Sequence, residues 1–547
     1  MAGMPTTVVW YRRDLRVGDH APLERATRRG AVIPVFVLDR ALLRHPETGV
    51  ARVEFMLATL QSLAADLEQR GAGLVILEGD PAVVLPRLVS KYGADGIYAH
   101  TDAERVYGRV RDARVERALA QISAKMRWFE PPGATAELIE YPVFRKWWWS
   151  QMLAPLIPTP TRITFPAGVT PSVVPSLEQI GLRGDGKPLP IAGSVAAHGL
   201  LESFLDPSTL HRYRWAVSLP AARASSGLSP HLKFGSISPR EAVQRAQAMR
   251  ERPDSPMTRS VEQFTSRLRW GAGFTQRVRY LPQLELRSLY SSFDAQPWPF
   301  DGDQYERWCD GQTGFPFIDA CARCLIATGG WLELNFRARS IYASFLGNLL
   351  GFDWRYGALH FMKHLIDGDA AIDHYQWAMQ SGVTVGTDKT WTRIWHPGQV
   401  AVDRADPDGE FIRRWVPEVA HLPSAQIGEP QRVRGYPAMM LEWAGARREA
   451  VTRLGVRRAA LIGASDLRGQ IQALPDTLTP FAAQSGLHEY GWALQPLSGL
   501  QPAALELGSL DGAGVLALRS WLIVQREMTA KRVPARAAPA PQDDLFS

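Results

Sequence analysis

The segment LIDGDAAIDHYQWAMQSG, residues 365 to 382, places three acidic side chains close to a tryptophan. On a helix, Asp369, Asp373 and Trp377 recur at intervals of four residues and therefore lie on one side. Asp367 lies just before them. Two interpretations are open: the acids form a solvated stripe beside a packed tryptophan, or they form one wall of a binding pocket.

A second candidate site is the segment ASSGLSP, residues 224 to 230, in which small hydroxylated residues and a glycine precede a proline. A proline in this position is common in the first turn of a helix. Backbone N–H groups and hydroxyls there suit a pyrophosphate, and the helix dipole adds to the attraction. A simple capped turn explains the same residues, so both interpretations stay open.

The composition is that of a globular protein, with 46% hydrophobic and 21% charged residues, and a length of 547 residues predicts two or more domains. A formal net charge of +7 is compatible with a nucleic-acid partner without requiring one. Three cysteines argue against a disulfide framework. Cys321 and Cys324 have no second pair to complete a metal site, so no metal is expected. No signal peptide or membrane-spanning run is visible, which predicts a cytoplasmic protein without a membrane partner.

The first 135 residues alternate apolar strands with amphipathic helices, which predicts a doubly wound parallel sheet. The predicted strands are 6–11, 31–38, 73–79 and 96–100. No G-x-G-x-x-G follows the first strand, so a dinucleotide site in this domain has no support. The remainder divides into a Pro-rich extended connector (136–200), a helical domain (201–430), a helical extension (431–530) and a tail that cannot fold alone (531–547).

Five segments with recognisable motifs follow one another along the chain. They are VVWYRRDLRVGDHAPL (8–23), YRWAVSLPAARASSGLSPHLKFGSISPREAV (213–243), WCDGQTGFPFIDACARCL (308–325), the acidic segment at 365–382, and DPDGEFIRRWVPE (406–418). Together they resemble the photolyase and cryptochrome family, of which this chain looks like a divergent bacterial member. The resemblance implies an α/β N-terminal domain, a large all-α FAD-binding domain and FAD as cofactor. A second, antenna chromophore is compatible with it, but the sequence does not specify one.

The resemblance also assigns roles around the flavin. Asp367 and Asp369 match an acidic pair beside the ribose and isoalloxazine, and Arg339 matches the basic residue that pairs with Asp367. A buried acid with such a partner is tolerable, whereas an unpaired one is costly. The residues that match contacts to the FAD phosphates are Tyr213, Ser225, Ser226, Gly227, Leu228 and Ser229. The acidic segment is thus expected to form a wall of a flavin pocket.

Asp373 departs from the usual photolyase pattern. Its position matches the residue that faces flavin N5, where photolyases usually carry Asn and plant cryptochromes carry Asp. A carboxyl in an apolar pocket is expected to have a raised pKa. In its protonated form Asp373 could donate a proton to a photoreduced flavin, which an Asn could not.

Three of the eighteen tryptophans match the electron-transfer chain of the family. Trp377 is expected nearest the flavin, Trp354 next and Trp298 outermost. Indole rings are oxidisable, so such a chain of tryptophans can transfer an electron hole from the excited flavin toward the protein surface. The alternative is that all three are packing residues.

The DNA side of the expected site departs further from the family. Trp270 is kept, but Arg267 stands at a position where the family usually has Glu, and Ser340 stands where cyclobutane-dimer enzymes tend to have Met. The paired histidines of the (6-4) enzymes are absent from the same segment. The lesion-facing residues are therefore expected to be Arg267, Trp270 and Ser340, with the lesion type left open.

The leading functional hypothesis is light-driven repair of pyrimidine dimers in UV-damaged DNA by an electron from reduced flavin. The alternative is a cryptochrome-like blue-light photoreceptor that signals through flavin redox state. Asp373, Arg267 and Ser340 favour the receptor, whereas the end of the chain favours repair.

The chain ends in APAPQDDLFS. Gln542, Leu545 and Phe546 resemble the short peptide by which bacterial DNA-processing enzymes dock on the replicative sliding clamp. An apolar Leu-Phe pair can fill a preformed pocket, while the Pro/Ala leader keeps the peptide extended and accessible. A frayed terminus is the alternative interpretation. A clamp tether suits a repair enzyme because it brings the enzyme to DNA.

We predict that a peptide of residues 538–547 binds the sliding clamp of the same organism. Replacing both Leu545 and Phe546 with Ala should abolish binding, because these are the two large apolar side chains of the tail. Fluorescence anisotropy of the labelled peptide measures this. No detectable binding of the unchanged peptide at high micromolar concentration would refute the clamp hypothesis.

Overall fold

The computed structural model describes residues 4–102, 105–295, 297–384, 393–462 and 511–521. The proposed clamp peptide, with Gln542, Leu545 and Phe546, lies outside the described residues. Among the helices that the structure describes, none combines the length and the apolar character needed to cross a membrane.

The N-terminal domain is built on a parallel sheet in the order β3-β2-β1-β4-β5. Its strands are β1 (Thr6–Tyr11), β2 (Ala31–Leu38), β3 (Val75–Glu78), β4 (Gly96–His100) and β5 (Lys125–Phe129). The strands β2 and β4 are buried along their whole length, because helices cover both faces of the sheet. The chain reverses its direction of winding between β1 and β4, and ligands of such folds bind beside the carboxyl ends of the strands at that point.

The helices of this domain are α1 (Ala21–Arg29), α2 (Arg40–Leu43), α3 (Val50–Glu68), α4 (Pro81–Tyr92) and α5 (Val106–Gln121). Local sequence explains where several of them begin. The side chain of Asp80 accepts a hydrogen bond from the Ala82 amide at the start of α4, and His20 accepts one from the Leu23 amide at the start of α1. Such caps satisfy amides that have no partner inside the helix.

The predicted doubly wound domain is confirmed, and β1, β2 and β4 have the predicted bounds. The strand β5 was not expected from the sequence. It carries Lys125 and Arg127 and is only partly buried, which makes it an edge strand without an apolar run.

The predicted connector, residues 136–200, is not extended throughout, because it contains helix α6 (Tyr141–Leu153). The tryptophan run 147–149 hides the helical period of this segment. Trp148 and Phe144 of α6 are buried in the core of the helical domain. Beyond α6 the chain runs along the sheet: the amide of Val32 donates to Thr164 O at 2.8 Å, and that of Ser172 donates to Leu74 O at 2.8 Å.

Among the described residues after 193, the regular elements are helices joined by loops, which confirms the all-α domain. Its α-helices up to residue 415 are α7 (Ser194–Leu205), α8 (Pro207–Ala216), α9 (Ser229–Phe234), α10 (Pro239–Ala248), α11 (Pro256–Tyr280), α12 (Ser291–Asp294), α13 (Gly302–Cys309), α14 (Pro316–Thr328), α15 (Phe336–Ser344), α16 (Trp354–His364), α17 (Ala370–Gln380), α18 (Gln399–Ala405) and α19 (Glu410–Trp415). A π-helical turn, Phe345–Leu350, follows α15.

The described parts of the C-terminal extension form α20 (Trp443–Ile462) and α21 (Gly512–Trp521). Trp521 ends α21 and is fully buried. Its ring packs on Phe144 of α6 with centroids 5.0 Å apart, and its Nε1 donates to Ile139 O at 2.7 Å. Helix α21 is therefore docked on the helical domain next to α6.

Candidate functional site

A cavity of about 570 Å³ lies between the two domains. The N-terminal domain contributes Arg12, Arg13 and Asp102, and the helical domain contributes the face of α11, the start of α15 and the segment from Asp367 to Gln380. The predicted site residues that line it are Ser225, Ser229, Arg267, Arg339, Ser340, Asp367, Asp369, Asp373 and Trp377. One cavity thus holds residues expected to contact both flavin and lesion. Its volume is within the usual range for cofactor sites.

Asp369 begins helix α17 and is held as an anion. One carboxylate oxygen accepts from the Ala371 amide at 3.1 Å, and the other lies 2.7 Å from Arg13 and 3.5 Å from Lys233. Burial alone would raise the pKa of Asp369, but Lys233 and Arg13 lower it to about 2. Asp369 therefore caps α17 and ties the helical domain to Arg13 of the N-terminal domain.

Asp367 is neutralised within the helical domain. Arg339 Nη2 donates to both carboxylate oxygens of Asp367, at 3.2 and 3.1 Å, and Arg339 Nε donates to Leu334 O at 2.8 Å. This is the pairing that the resemblance implies. The second hydrogen bond fixes the guanidinium, so the pair has a defined orientation at the cavity wall.

Asp373 lies one turn after Asp369 on α17 and is 8% exposed. Its Oδ2 has no hydrogen-bond partner among the described residues, and the side chain lines the cavity. Desolvation is the largest influence and raises the pKa of Asp373 to about 8, with Glu47 adding to it and His374, Arg339 and Arg52 opposing it. At neutral pH the carboxyl is protonated and presents a donor to the cavity.

The segment 225–229 contributes through two side chains that line the cavity, Ser225 and Ser229. Gly227 adopts a left-handed conformation with φ of 69°, and its carbonyl accepts from Trp331 Nε1 at 3.0 Å. Ser226 accepts from the Leu228 amide at 3.4 Å. The structure does not place Ser226, Gly227 and Leu228 among the lining residues, so they shape the turn that presents the two serine hydroxyls.

Tyr213 also lies outside the cavity lining. It is buried on α8, which raises its pKa, and the positive charge of Arg267 opposes that shift. Arg267 itself lines the cavity. Tyr213, one of the expected phosphate contacts, is thus placed behind the cavity wall at Arg267.

Of the three residues expected to face the lesion, two line the cavity and one does not. Arg267 and Ser340 line the cavity together with Gly271 of α11, whereas Trp270 does not. Ser340 Oγ accepts from Gln380 Nε2 at 3.2 Å. A Cβ at Gly271 would lie 3.6 Å from Ile372 Cδ1 on the facing helix, at ordinary van der Waals distance.

The three predicted electron-transfer tryptophans differ in burial and in their position relative to the cavity. Trp377 lines the cavity and packs so closely on Gly357 of α16 that a Cβ there would lie 2.3 Å from the ring. Trp354 begins α16 and is fully buried. Trp298 is partly buried, and the Arg457 guanidinium lies 3.7 Å from the ring centroid. Trp377 thus borders the cavity, Trp354 lies in the core and Trp298 is the most exposed of the three.

Sequence reasoning missed the contributions of the N-terminal domain. Arg13 pairs with Asp369, and Glu47 pairs with His374, the residue after Asp373, at 3.0 Å. Each pair joins residues more than 300 positions apart. The charge of each residue was visible in the sequence, but no periodicity connects partners at such a separation.

Three buried side chains of the N-terminal domain, Asp14, His20 and His100, have ligand atoms close enough to hold a metal ion. Hydrogen bonds of the two histidines to Asp14 explain why these side chains lie together. His20 Nδ1 accepts from the Leu23 amide, so its Nε2 carries the proton and donates to Asp14 Oδ2 at 2.8 Å. His100 Nδ1 lies 2.7 Å from the same oxygen.

The residues around the large cavity fit FAD. Ser225 and Ser229 offer hydroxyls and Lys233 and Arg267 offer cations, which suit phosphates. Phe361, Ile372 and Trp377 offer apolar surface for a ring system. Two lining residues also carry buried oxygens, Asp373 Oδ2 and Gln380 Oε1, that have no hydrogen-bond partner in the part of the chain that the structure describes. Buried polar atoms without partners are rare unless a ligand or water satisfies them.

Comparisons with known proteins agree with this geometry. Residues 7–154 match the family model described as DNA photolyase, and residues 264–455 match the FAD binding domain of DNA photolyase. The chain is 34% identical over 458 residues to the deoxyribodipyrimidine photo-lyase of Synechococcus sp., covering 78% of this chain and 92% of the relative. It is 32% identical over 459 residues to the cryptochrome DASH of Natronomonas pharaonis, covering 78% and 93%.

Solved structures give the same result. A bacterial class III photolyase from Agrobacterium tumefaciens superposes with a TM-score of 0.73 at 26% identity, covering 84% of this chain and 99% of the other. An archaeal photolyase from Sulfolobus tokodaii, which contains two FAD molecules, superposes with a TM-score of 0.70 at 26% identity, covering 82% and 99%.

The pKa of Asp373 leads to a prediction about stability. It is about 8 in the folded protein, against about 4 in an unfolded chain. Between these values the folded state binds the extra proton, so the contribution of Asp373 to stability falls as pH rises. Relative to Asp373→Asn, the unchanged protein should therefore lose stability between pH 5 and pH 8, by on the order of 3 kcal/mol.

Urea unfolding of both proteins at several pH values measures this difference. Asp403→Asn, at an exposed position of α18, is the matched control and should show a pH-independent difference. A difference for Asp373→Asn that is equally flat would contradict a protonated Asp373.

Proposed function

The chain belongs to the photolyase and cryptochrome family, and we propose that it is an FAD-dependent photolyase that repairs UV-induced pyrimidine dimers in DNA. The observation that carries this proposal is that one cavity contains both the acidic wall at Asp367–Asp373 and the face of α11 with Arg267 and Gly271. A dimer taken out of the DNA stack into this cavity would lie beside the cofactor. Electron transfer between them would then need no rearrangement of the protein.

When bound, FAD would supply the light-driven electron transfer that splits the dimer. The residues of the chain would bind and orient it. Asp367, fixed by Arg339, and Asp369, fixed by Arg13, give the cavity wall a defined arrangement of charge. The serines at 225 and 229 and the cation of Lys233 suit the phosphates.

Asp373 has a separate role in this proposal. Its protonated carboxyl holds a proton at the cavity wall, at the position that the family resemblance assigns to flavin N5. Ile372, Phe361 and Trp377 line the same cavity and give it apolar surface. A neutral acid in such a pocket can donate a hydrogen bond or a proton.

Cations at the cavity suit the backbone of DNA. Arg12, Arg13, Arg267 and Arg279 all line it, and phosphate contacts supply most of the sequence-independent affinity of DNA-binding proteins. Arg267 replaces a carboxylate at the lesion-facing position, so we propose that it contacts phosphate or an exocyclic oxygen of the lesion.

A second cavity, of about 150 Å³, lies in the N-terminal domain at the carboxyl ends of β1 and β2. Trp10, Tyr11 and Phe36 give it aromatic walls, and Arg52 and Arg111 give it cations. We propose this cavity as the site of an antenna chromophore. An aromatic ring system with an anionic group fits its lining.

A blue-light photoreceptor that signals through flavin redox state is the second candidate function. Asp373 is the observation that favours it, because a carboxyl at this position is typical of plant cryptochromes. The tail peptide at 542–546 favours repair if it binds the sliding clamp.

The repair proposal is tested by illuminating the FAD-loaded protein with blue light under reducing conditions, with an oligonucleotide that carries a cyclobutane thymine dimer. We expect conversion to the undamaged strand in the light and none in the dark, measured by chromatography. A second oligonucleotide with a (6-4) photoproduct determines the lesion type. Absence of repair of both lesions by protein that still photoreduces its flavin would favour the photoreceptor.

The proposed electron-transfer chain of tryptophans leads to a separate prediction. Trp377→Phe should slow photoreduction of FAD at least about tenfold while FAD stays bound, because the ring volume is largely retained but the oxidisable indole is lost. Trp298→Phe should slow it less, because inner tryptophans can still be oxidised briefly. Bleaching of the flavin absorbance under blue light measures the rate.

Trp215→Phe is the matched control, because Trp215 is 54% exposed on α8. It should photoreduce FAD at the unchanged rate. Undiminished photoreduction in the Trp377 variant would remove this pathway from the proposal.

A further inference from the structure

His374 is a fully buried histidine that directly follows Asp373 on α17. Its Nδ1 lies 3.0 Å from Ala370 O, and its Nε2 lies 3.0 Å from Glu47 Oε1. A carbonyl and a carboxylate oxygen can only accept, so both ring nitrogens must carry a proton. The geometry therefore requires a buried imidazolium. Burial alone would lower the pKa of His374, but Glu47 raises it to about 9.

Glu47 reaches His374 from the other domain. It lies in the segment between α2 and α3 and is fully buried. Its second oxygen pairs with Arg105 at 2.7 Å, and Arg105 continues to Glu285 of the helical domain at 3.0 Å. Its backbone carbonyl accepts from Arg52. A buried ion pair is stable when further hydrogen bonds satisfy both partners, and this one has them.

The imidazolium is close to the carboxyl that lines the cavity. His374 Nδ1 lies 3.8 Å from Asp373 Oδ2. The charged groups that act on Asp373 are His374, Glu47, Arg339 and Arg52, of which Glu47 favours its neutral form and the three cations favour its charged form. His374 has the largest influence of these four. It opposes the desolvation that otherwise keeps Asp373 permanently neutral.

We propose that Glu47 and His374 form an interdomain ion pair that sets the proton affinity of Asp373, so that its carboxyl holds a proton at neutral pH and is still able to release it. Both are positioning residues, because they act through Asp373. The inference rests on the proposed function only in that Asp373 faces the flavin. A residue of the N-terminal domain, Glu47, thus helps to control the protonation of Asp373 in the helical domain.

Replacing His374 with Asn is expected to raise the pKa of Asp373. His374→Asn removes a positive charge about 4 Å from Asp373, which makes ionisation of Asp373 harder and moves its titration to higher pH. At an effective dielectric constant of about 20 such a charge is significant, so we expect an upward shift of about one pH unit or more.

The test is an infrared titration of the full chain in the dark, with and without FAD. Subtracting the spectrum of Asp373→Asn isolates the carboxyl band of Asp373. In His374→Asn the midpoint of this band should move upward, whereas an unchanged midpoint would overturn the proposal. His360→Asn is the matched control: burial holds the pKa of His360 well below its usual value, so this change removes no charge and should leave the midpoint in place.

A second measurement covers the case in which His374→Asn does not fold. Glu47→Gln removes the partner of the imidazolium, so the nitrogen-15 NMR signals of His374 should change from charged to neutral at pH 7.5. A histidine that stays charged in Glu47→Gln would also overturn the proposal. Neither readout depends on light or on DNA, so a failure of dimer repair would leave both results interpretable.

Discussion

Three carboxyl groups of one short segment are buried between two domains, and the protein has to compensate each of them. Asp367 is neutralised by Arg339 of its own domain, and Asp369 by Arg13 and Lys233. Asp373 Oδ2 has no hydrogen-bond partner among the described residues, and the carboxyl keeps its proton instead. Because an isolated buried charge is so unfavourable, the Asp369–Arg13 pair ties the two domains together and all three acids shape what the cavity presents.

The three acids have different roles in the proposed function: Asp367 and Asp369 orient the cofactor, and Asp373 holds a proton. Asp367 and Asp369 are fixed by ion pairs with Arg339 and Arg13, so they present acceptors in a fixed arrangement at the cavity. Asp373 is desolvated and lies 3.8 Å from the imidazolium of His374, and its pKa is raised to about 8. Trp377 borders the same cavity, Trp354 is buried in the core and Trp298 is partly exposed. In the proposed function, the proton of Asp373 and the first electron-transfer ring, Trp377, would thus come from one helix, α17.

The sequence predicted what depends on local pattern. The four-residue spacing of Asp369, Asp373 and Trp377 placed them correctly on one helix, and three of the strands have their predicted bounds. The helix α6 and the edge strand β5 were missed, because a tryptophan run hides the period of the first and charged residues interrupt the second. The interdomain pairs were missed as well. Glu47 and His374 are 327 positions apart, and only the tertiary structure makes them neighbours.

The central claim is that FAD occupies the interdomain cavity with its N5 edge toward Asp373. A crystal structure of the protein with FAD bound tests this directly. The account predicts the isoalloxazine beside Phe361, Ile372 and Trp377, with N5 within hydrogen-bond distance of the Asp373 carboxyl and with the Asp367–Arg339 pair kept. A flavin bound outside this cavity, or one whose N5 faces another side chain, would contradict it.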